Sequence, residues 1–399
     1  MKISKSIKKI FSSELLPLWV CVFIDILGYS MLTPYMPQIM LEMNVPIGMI
    51  GLVLSIPAFI GFFTNILWGS LSDRIGRKPV IMMLRFGTLL SYLLLTFSTD
   101  MTLIIASRVV AGIFNSVVPI SLTVVNDVVA PERRSLELSN VGAGWLVGSI
   151  FGPFIGALVA GSGAFGLGVV NFILIGITIL ITLFQLKETH TDFKEGALKE
   201  KIISKKPIIS VGLLKKPLPR YLLLQSLVNR IPYFMFVTTT SLFVTIRFGF
   251  GVAQIGTFFT AISIVNLVIR LLLFPYVLRR LGDGKTVRLG FILYVIAFSW
   301  LIFAGSVWEF AIINMIMSFA TSTAIDVMTG VMSHAVEKPE MGEMMGLASA
   351  VESLTMVTGP IIGSNLLGLG PQYAFGLFGA VFAVITLLMD FHPIRNSRS

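Results

Sequence analysis

The chain has 399 residues, of which 55% are hydrophobic and only 13% are charged, and its formal net charge is +10 at neutral pH. Soluble proteins carry about a quarter charged residues, so this composition excludes an ordinary soluble domain and indicates an integral membrane protein. The chain holds one cysteine, Cys21, which excludes an intrachain disulfide.

Twelve apolar segments follow one another along the chain, each close to the roughly 20 residues that a helix needs to cross a bilayer. They lie near residues 15–40, 48–70, 79–97, 102–125, 136–160, 165–186, 220–246, 252–278, 287–305, 309–333, 343–367 and 371–390. The runs are too long for barrel strands and show no alternation, so the predicted fold is all-α, with twelve transmembrane helices. The first run follows a basic start, but it is too long for a signal peptide and contains Asp25, so we predict an uncleaved first span.

Lysine and arginine are concentrated on one side of this topology. They cluster near residues 2–9, 74–85, 133–134, 187–220, 279–288, 338 and 395–398, whereas the loops near 41–47, 98–101, 161–164, 306–308 and 368–370 have none. This pattern predicts a multi-pass protein of the plasma membrane with both termini in the cytoplasm. The surplus charge therefore sets the topology, and no nucleic-acid partner is expected.

The first predicted span carries an acid, Asp25, with Tyr29 one turn later. An ionisable group inside a span is costly and is a functional candidate by default. One hypothesis makes Asp25 a proton or cation site facing a cavity. The alternative makes it the structural partner of a nearby polar group.

A short charged stretch separates the second and third apolar segments. It reads Gly69-Ser70-Leu71-Ser72-Asp73-Arg74-Ile75-Gly76-Arg77-Lys78-Pro79. One acid and three bases this close together must lie outside the hydrocarbon, and we interpret the stretch as a hinge. Gly69 and Gly76 would permit close approach and tight turning there.

This stretch resembles the signature loop between the second and third spans of major facilitator superfamily transporters. The first span, with its Asp-x-x-Gly and Pro-x-x-Pro spacing, is similar to that of the tetracycline and multidrug exporters in the superfamily. The resemblance implies two pseudo-symmetric halves of six helices each. We place the halves at 1–186 and 220–399, joined by a cytoplasmic linker at 187–219, part of which could lie as an amphipathic helix on the membrane surface.

The fourth segment contains Arg108, Gly112 and Asn115, and its first two are similar to the Arg-x-x-x-Gly motif that the family links to proton coupling. Arginine is always charged, so it cannot carry the proton, but it can respond when a nearby carboxylate is protonated. The alternative is a plain helix-packing salt bridge.

The end of the fourth segment carries Asp127, with Arg133 and Arg134 close behind. In the family, an acid here closes a charge cluster with the signature loop. The resemblance therefore implies that Asp127 meets Arg77, and that the cluster latches the cytoplasmic ends in the outward-open state. The alternative is an ordinary surface pair, worth about 0–1 kcal/mol.

The fifth segment contains the run Gly148-x-x-x-Gly152-Pro153-x-x-Gly156. Small residues at four-residue spacing let helices pack closely. The run is similar to the motif of exporters in the superfamily, although a generic packing face is the alternative. A shift of 207 residues places Gly152 and Pro153 on Gly359 and Pro360, which indicates a parallel internal repeat.

The second half has charges of its own inside the predicted spans. They are Arg230, Arg270, Asp326 and Glu352. Two acids and two bases at similar depth suggest ion pairs, because unpaired charges there are costly. One hypothesis is a neutral structural network; the other is that Arg230 or Arg270 faces the cavity and binds an anionic or zwitterionic substrate.

These observations give three sets of candidate residues. For proton coupling they are Asp25, Arg108, Asp326 and Glu352; for substrate binding they are Asp25, Tyr29, Asn115, Arg230, Tyr233 and Arg270; for gating they are Gly69, Asp73, Arg74, Gly76, Arg77, Lys78, Asp127 and Arg134. No catalytic triad and no metal-ligand spacing is found, so neither an enzyme nor a metal site is expected.

Within the superfamily the chain looks most like the drug:proton antiporter branch. That resemblance implies a monomeric transporter that exports drug-like or amphipathic compounds by alternating access. It would need no cofactor and would draw its energy from the proton gradient; the sequence contains no Walker-type loop for ATP. The alternatives are a dedicated exporter of a polar metabolite (a metallophore, siderophore or organic acid) and a non-transporting sensor or scaffold, against which the intact signature loop argues.

Overall fold

A computed structural model describes residues 15–129, 131–189, 212–337, 340–370 and 373–391. Between 131 and 146, side chains are described only at Arg133, Glu137 and Gly144. The described residues are almost entirely helical and include no strand. The surface helix expected within the linker falls largely on 190–211, outside the described residues.

Eight α-helices lie in the described residues between 15 and 189. They are α1 (Leu16–Leu32), α2 (Met36–Glu42), α3 (Ile47–Ile75), α4 (Arg77–Thr96), α5 (Met101–Ile113), α6 (Val117–Val128), α7 (Pro131–Val159) and α8 (Gly163–Gln185).

Seven α-helices lie in the described residues from 212 onward, with π turns at Ile269–Leu273 and Ser322–Asp326. They are α9 (Pro217–Phe248), α10 (Val252–Val268), α11 (Phe274–Phe303), α12 (Val307–Thr321), α13 (Val327–His334), α14 (Met341–Leu369) and α15 (Tyr373–Asp390).

Ten stretches of the described chain are long and apolar enough to cross a membrane. Two of them, Val147–Gln185 and Val252–Phe303, contain 39 and 52 residues. At helical rise these would measure about 58 and about 78 Å, roughly twice the thickness of the hydrocarbon core or more. Each is interrupted by a glycine with positive φ, Gly163 (+64°) in the first and Gly282 (+71°) in the second. Each therefore holds two spans, and the predicted fold of twelve transmembrane helices is confirmed.

The contacts divide the chain into two compact units. One comprises Met1–Met43 and Ile56–Ser204, and the other comprises Asn44–Ser55 and Lys205–Ser399. Except for the beginning of α3, the division falls inside the predicted linker.

The same pairs of spans pack together within each unit. In the first unit α1 packs on α7 and α4 packs on α8; in the second α9 packs on α14 and α11 packs on α15. In each unit, the first and fifth spans approach each other closely at a glycine. A Cβ added to Gly152 would lie 2.7 Å from the backbone nitrogen of Met31, and one added to Gly359 would lie 2.8 Å from that of Met235. The 207-residue repeat in the sequence thus corresponds to a repeated close approach of helices.

Candidate functional site

A charge cluster lies where α3 meets α4. The Arg77 guanidinium is buried, with Nη1 2.7 Å from Oδ1 of Asp73 and Nε 2.9 Å from Oδ2 of Asp127. Nη1 also donates to the Ser72 hydroxyl. The contact expected between Arg77 and Asp127 is therefore present, and it ties the end of α6 to the α3–α4 turn.

The turn itself is much tighter than the sequence suggested. Helix α3 continues through Ile75, and Gly76 alone leaves the helical conformation, with φ of +103°. Gly69 lies inside α3, and a Cβ there would meet nothing within 4 Å. The interpretation of the whole stretch as a hinge loop is wrong, because the turning depends on one left-handed residue.

Sequence reasoning missed a fourth member of this cluster, Glu188. Its two carboxylate oxygens accept hydrogen bonds from the backbone nitrogens of Arg77 (3.0 Å) and Lys78 (3.1 Å). A carboxylate at a helix N-terminus satisfies unpaired N–H groups and complements the helix dipole. We call Asp73, Arg77, Asp127 and Glu188 the gate cluster; the side chain of Arg134, predicted to belong here, lies outside the described residues.

Asp25 does not stand alone in the first span. Its Oδ1 lies 2.9 Å from Nη1 of Arg85 and its Oδ2 lies 3.3 Å from Nη2, and Nη1 also donates to Thr178 Oγ1 at 2.6 Å. The side chains of Arg85 and Asp25 are only 1% and 13% exposed. This geometry corresponds to the hypothesis that Asp25 is a structural partner.

The position of Arg85 corrects the charge analysis. The sequence grouped Arg85 with the basic residues of the cytoplasmic loop. Because α4 begins at Arg77, Arg85 lies about 12 Å into the helix, where it is buried. It therefore balances an acid inside the unit and does not report topology.

Arg108 is buried in α5, next to two tyrosines. Its Nη2 donates to the Ser107 hydroxyl at 3.1 Å, and its Nε has no acceptor. Within the described part of the chain it forms no ion pair, so the expected helix-packing salt bridge is not found there. The groups that act on it electrostatically are the phenols of Tyr92 and Tyr29.

The fourth span is broken below Arg108, which the hydropathy pattern did not predict. Helix α5 ends at Ile113 and α6 begins at Val117, and Asn115 is exposed in the break. Two carbonyls freed by the break are satisfied from α3. Trp68 Nε1 donates to the oxygen of Ile113 at 2.6 Å, and Thr64 donates to that of Gly112 at 3.0 Å.

The charges within the spans of the second unit form the predicted ion pairs. Arg230 Nη1 lies 3.3 Å from Oε2 of Glu352, while its other nitrogens donate to Ser226 and Thr329. Only 7% of the Arg230 side chain is exposed, against 47% of Glu352.

The second pair joins two π turns. Arg270, in the turn Ile269–Leu273, places Nη2 2.8 Å from Oδ2 of Asp326, in the turn Ser322–Asp326. The side chains are 48% and 37% exposed. Asp326 also interacts electrostatically with Arg230 and Glu352, and all four charges act on the phenol of Tyr233. The predicted ion pairs are thus confirmed, and each arginine faces a carboxylate.

The glycine-rich run of the fifth span lies against α1. Ser30 donates to the carbonyl of Gly148 at 2.9 Å, and the Tyr35 hydroxyl donates to that of Pro153 at 2.7 Å. A Cβ at Gly156 would lie 2.8 Å from the carbonyl oxygen of Met31. The run forms a close-packed seam in which hydrogen bonds cross from α1 to α7.

Comparison with known proteins gives one consistent family. A model of the Major Facilitator Superfamily matches residues 18–288 and 254–397. The class E tetracycline resistance protein of Escherichia coli is 25% identical over 403 residues, covering 94% of each chain. Multidrug resistance protein 2 of Bacillus subtilis (strain 168) is 26% identical over 372 residues, covering 91% of each chain.

The solved structures agree with this at the level of the fold. A bacterial homologue of the human lysosomal transporter Spinster, in an inward-facing and unoccupied conformation, has a TM-score of 0.76 against this chain. It is 15% identical and the match covers 96% of each chain.

Proposed function

Because the chain belongs to the Major Facilitator Superfamily, we propose that it exports small, drug-like amphipathic molecules from the cytoplasm in exchange for protons. It is a transporter and not an enzyme. Relatives named for tetracycline and multidrug resistance, matched over more than nine tenths of both chains, support the direction and the substrate class. The seam of Gly148, Gly152 and Gly156 agrees with the exporter motif.

Alternating access is the second part of the proposal. The two units would rock against each other. The four residues of the gate cluster all belong to the first unit, so the cluster would hold the cytoplasmic ends of α3, α4 and α6 together as that unit moves. This role is supported by the two acids that converge on the buried guanidinium of Arg77. The guanidinium is held strongly while both ion pairs are present, and the loss of either acid would leave it less well compensated.

The observation that carries proton coupling is the pair between Arg270 and Asp326. A carboxylate must exchange protons with water to couple transport to a gradient. Asp326 is 37% exposed and sits on a π turn, a helix distortion that is frequent at functional sites. The side chain of Asp25 is 13% exposed, and its carboxylate accepts hydrogen bonds from Nη1 and Nη2 of Arg85. We therefore assign coupling to Asp326, with Glu352 beside it, and a supporting role to Asp25.

Everted membrane vesicles test this proposal. An imposed proton gradient should drive accumulation of tetracycline or a cationic dye, and a protonophore should abolish it. Asp326→Asn should lose gradient-driven accumulation while still exchanging labelled substrate across the membrane. Glu337→Gln is the matched control, because Glu337 is an exposed acid in a loop and its removal should change neither activity.

Three results would contradict the proposal in different places. Accumulation that survives the protonophore would exclude proton coupling. An Asp326→Asn variant that accumulates substrate like the wild type would move the coupling site elsewhere. Vesicles that move no drug-like probe in either direction would reject the substrate class while leaving the family intact.

The proposal extends to location and assembly. We place the chain in the plasma membrane as a monomer, with both termini in the cytoplasm. The alternative of a dedicated organic-acid exporter that uses Arg230 or Arg270 gains no support, because both arginines already face carboxylates.

A further inference from the structure

Buried arginines in this chain follow a rule with one exception. Four arginines are buried in the described part of the chain: Arg77, Arg85, Arg108 and Arg230. The first, second and fourth each lie within 3.3 Å of a carboxylate oxygen. Arg108 is only 9% exposed and lies inside a span, yet it has no carboxylate partner among the described residues.

The local geometry leaves most of the Arg108 guanidinium unused. It has five N–H donors in a planar fork that suits oxyanions. One acceptor, the Ser107 hydroxyl, takes a hydrogen bond from Nη2 at 3.1 Å, and Nε has none. Arg108 follows the start of α5 by seven residues, about 11 Å along the helix, so it lies well inside the span and away from the lipid headgroups. A charge at such a depth persists only with a counter-charge or a polar partner.

The surroundings of Arg108 are polar, uncharged and partly open. Tyr92 is buried, whereas Tyr29, which also acts on Arg108, is 52% exposed. Asn115, although exposed, lies in the break after Ile113, so helical periodicity does not relate it to Arg108. The guanidinium thus lies at the edge of the packed interior, beside side chains that can donate hydrogen bonds to a ligand.

Asp25 is not the counter-ion of Arg108. Its carboxylate is committed to Arg85 through both oxygens, and Arg85 is the one guanidinium that acts on it. Tyr92 is within electrostatic range of both Arg108 and Asp25. Asp25 therefore does not neutralise Arg108, and the positive charge of Arg108 remains unpaired among the described residues.

We propose that Arg108, with the hydroxyl of Tyr29, forms a subsite for an oxyanion group of the transported molecule, so that the chain takes carboxylate- or sulfonate-bearing amphipathic substrates. The ligand supplies the counter-charge that Arg108 does not find among the described residues. Recognition of anions thereby falls to the first unit and not to Arg230 or Arg270. This inference rests on the proposed function only in that the ligand is a transported molecule.

Binding to the purified full chain in lipid nanodiscs tests the subsite without requiring transport. The probes are 2-naphthoate and its neutral isostere 2-naphthamide, titrated by calorimetry with empty nanodiscs as the blank. The wild type should bind the carboxylate at least tenfold more tightly than the amide. Arg108→Gln should lose that preference, with the affinity for the amide within about twofold of the wild type.

Arg247→Gln is the matched control. It removes the same charge from an exposed position at the end of α9, and it should leave both affinities unchanged. Tyr29→Phe should weaken the binding of 2-naphthoate and leave the binding of 2-naphthamide unchanged. If Arg108→Gln does not fold, Arg108→Lys serves instead; it keeps the charge and loses the planar fork, so it should bind the carboxylate severalfold more weakly than the wild type does.

The proposal fails if the wild type binds the two probes with the same affinity, or if Arg108→Gln lowers the affinity for both probes equally. Failure here leaves the proposed export untouched, because vesicles can still move neutral or cationic drugs. Conversely, anion binding that depends on Arg108 stands even if no proton gradient drives transport.

Discussion

At the scale of single residues, the bond between Asp25 and Arg85 decides what the acid in the first span does. Removing one partner of a buried pair leaves an uncompensated charge, which costs about 3–5 kcal/mol. Asp25→Asn and Arg85→Gln should each lower the thermal stability of the purified protein strongly. The double variant should recover much of the loss, since neither charge is then stranded.

The same variants separate structure from coupling. An Asp25→Asn protein that melts like the wild type but no longer accumulates substrate would show that the carboxylate serves transport and not the fold. Thermal unfolding and vesicle transport therefore have to be measured on the same preparations.

Gly76 offers a second test at this scale. Its φ of +103° is unfavourable for any other residue, and a Cβ there would lie 2.9 Å from the carboxyl carbon of Glu188. Gly76→Ala should lower stability by about 1–3 kcal/mol. Gly69→Ala is the control in the same stretch; it lies in open space within a helix and should be neutral or stabilising by about 0.5–1 kcal/mol.

Differential scanning fluorimetry of both variants in detergent checks this prediction. Equal melting temperatures for Gly76→Ala and Gly69→Ala would contradict it. So would a large loss in Gly69→Ala alone, because it would mean that this residue is packed in the state that the protein adopts in solution.

Residue pairing marks the limit of what the sequence could predict. The partners of Arg77 could be expected by resemblance, since Asp127 belongs to a known motif. Arg85 and Glu188 could not be assigned, because their partners lie 60 and 111 positions away in the chain. Such pairs depend on the register of one helix against another, and hydropathy carries no information about it.

At the scale of helices, apolar run length predicted the spans well and their interruptions poorly. A span broken at three residues, such as the one around Asn115, keeps its high mean hydropathy because the two helices on either side of the break are strongly apolar. The freed carbonyls are satisfied by Trp68 and Thr64 from another helix. The two π turns were invisible for the same reason, since an extra residue in a helix leaves composition unchanged.

The repeated glycine seam gives a prediction for helix packing. Gly152→Ala in α7 and Gly359→Ala in α14 each place a methyl group within 2.8 Å of a backbone atom of the first span of their unit. Overpacking of this kind costs about 1–3 kcal/mol. Both variants should therefore lower the melting temperature of the purified protein.

Each variant has a control in its own helix. A Cβ at Gly144 would meet its nearest described neighbour at 3.8 Å, and one at Gly346 would meet nothing within 4 Å. Gly144→Ala and Gly346→Ala should thus melt at or above the wild-type temperature. If only one of the two seams is sensitive, the units do not share the packing that their sequences share.

At the scale of the whole chain, the sequence predicted the number of crossings and the existence of a repeat, both of which follow from long-range averages. It did not predict that Asn44–Ser55 is grouped with the second unit although it precedes most of the first. The charge bias misassigned Arg85 to a loop, because a rule about loops cannot recognise a cation that is buried with its own counter-ion.

The orientation of the chain can be tested across one helix, α8. Ser162 and Lys187 are both exposed and flank this span of 23 residues, so they lie on opposite sides of the bilayer. Lys187 follows six crossings and shares the side of both termini. In a Cys21→Ser background, a membrane-impermeant maleimide should label Ser162→Cys in intact cells and Lys187→Cys only in everted vesicles. The reverse pattern would place both termini outside; then the basic loops would face the exterior, and transport driven by the proton gradient would run inward.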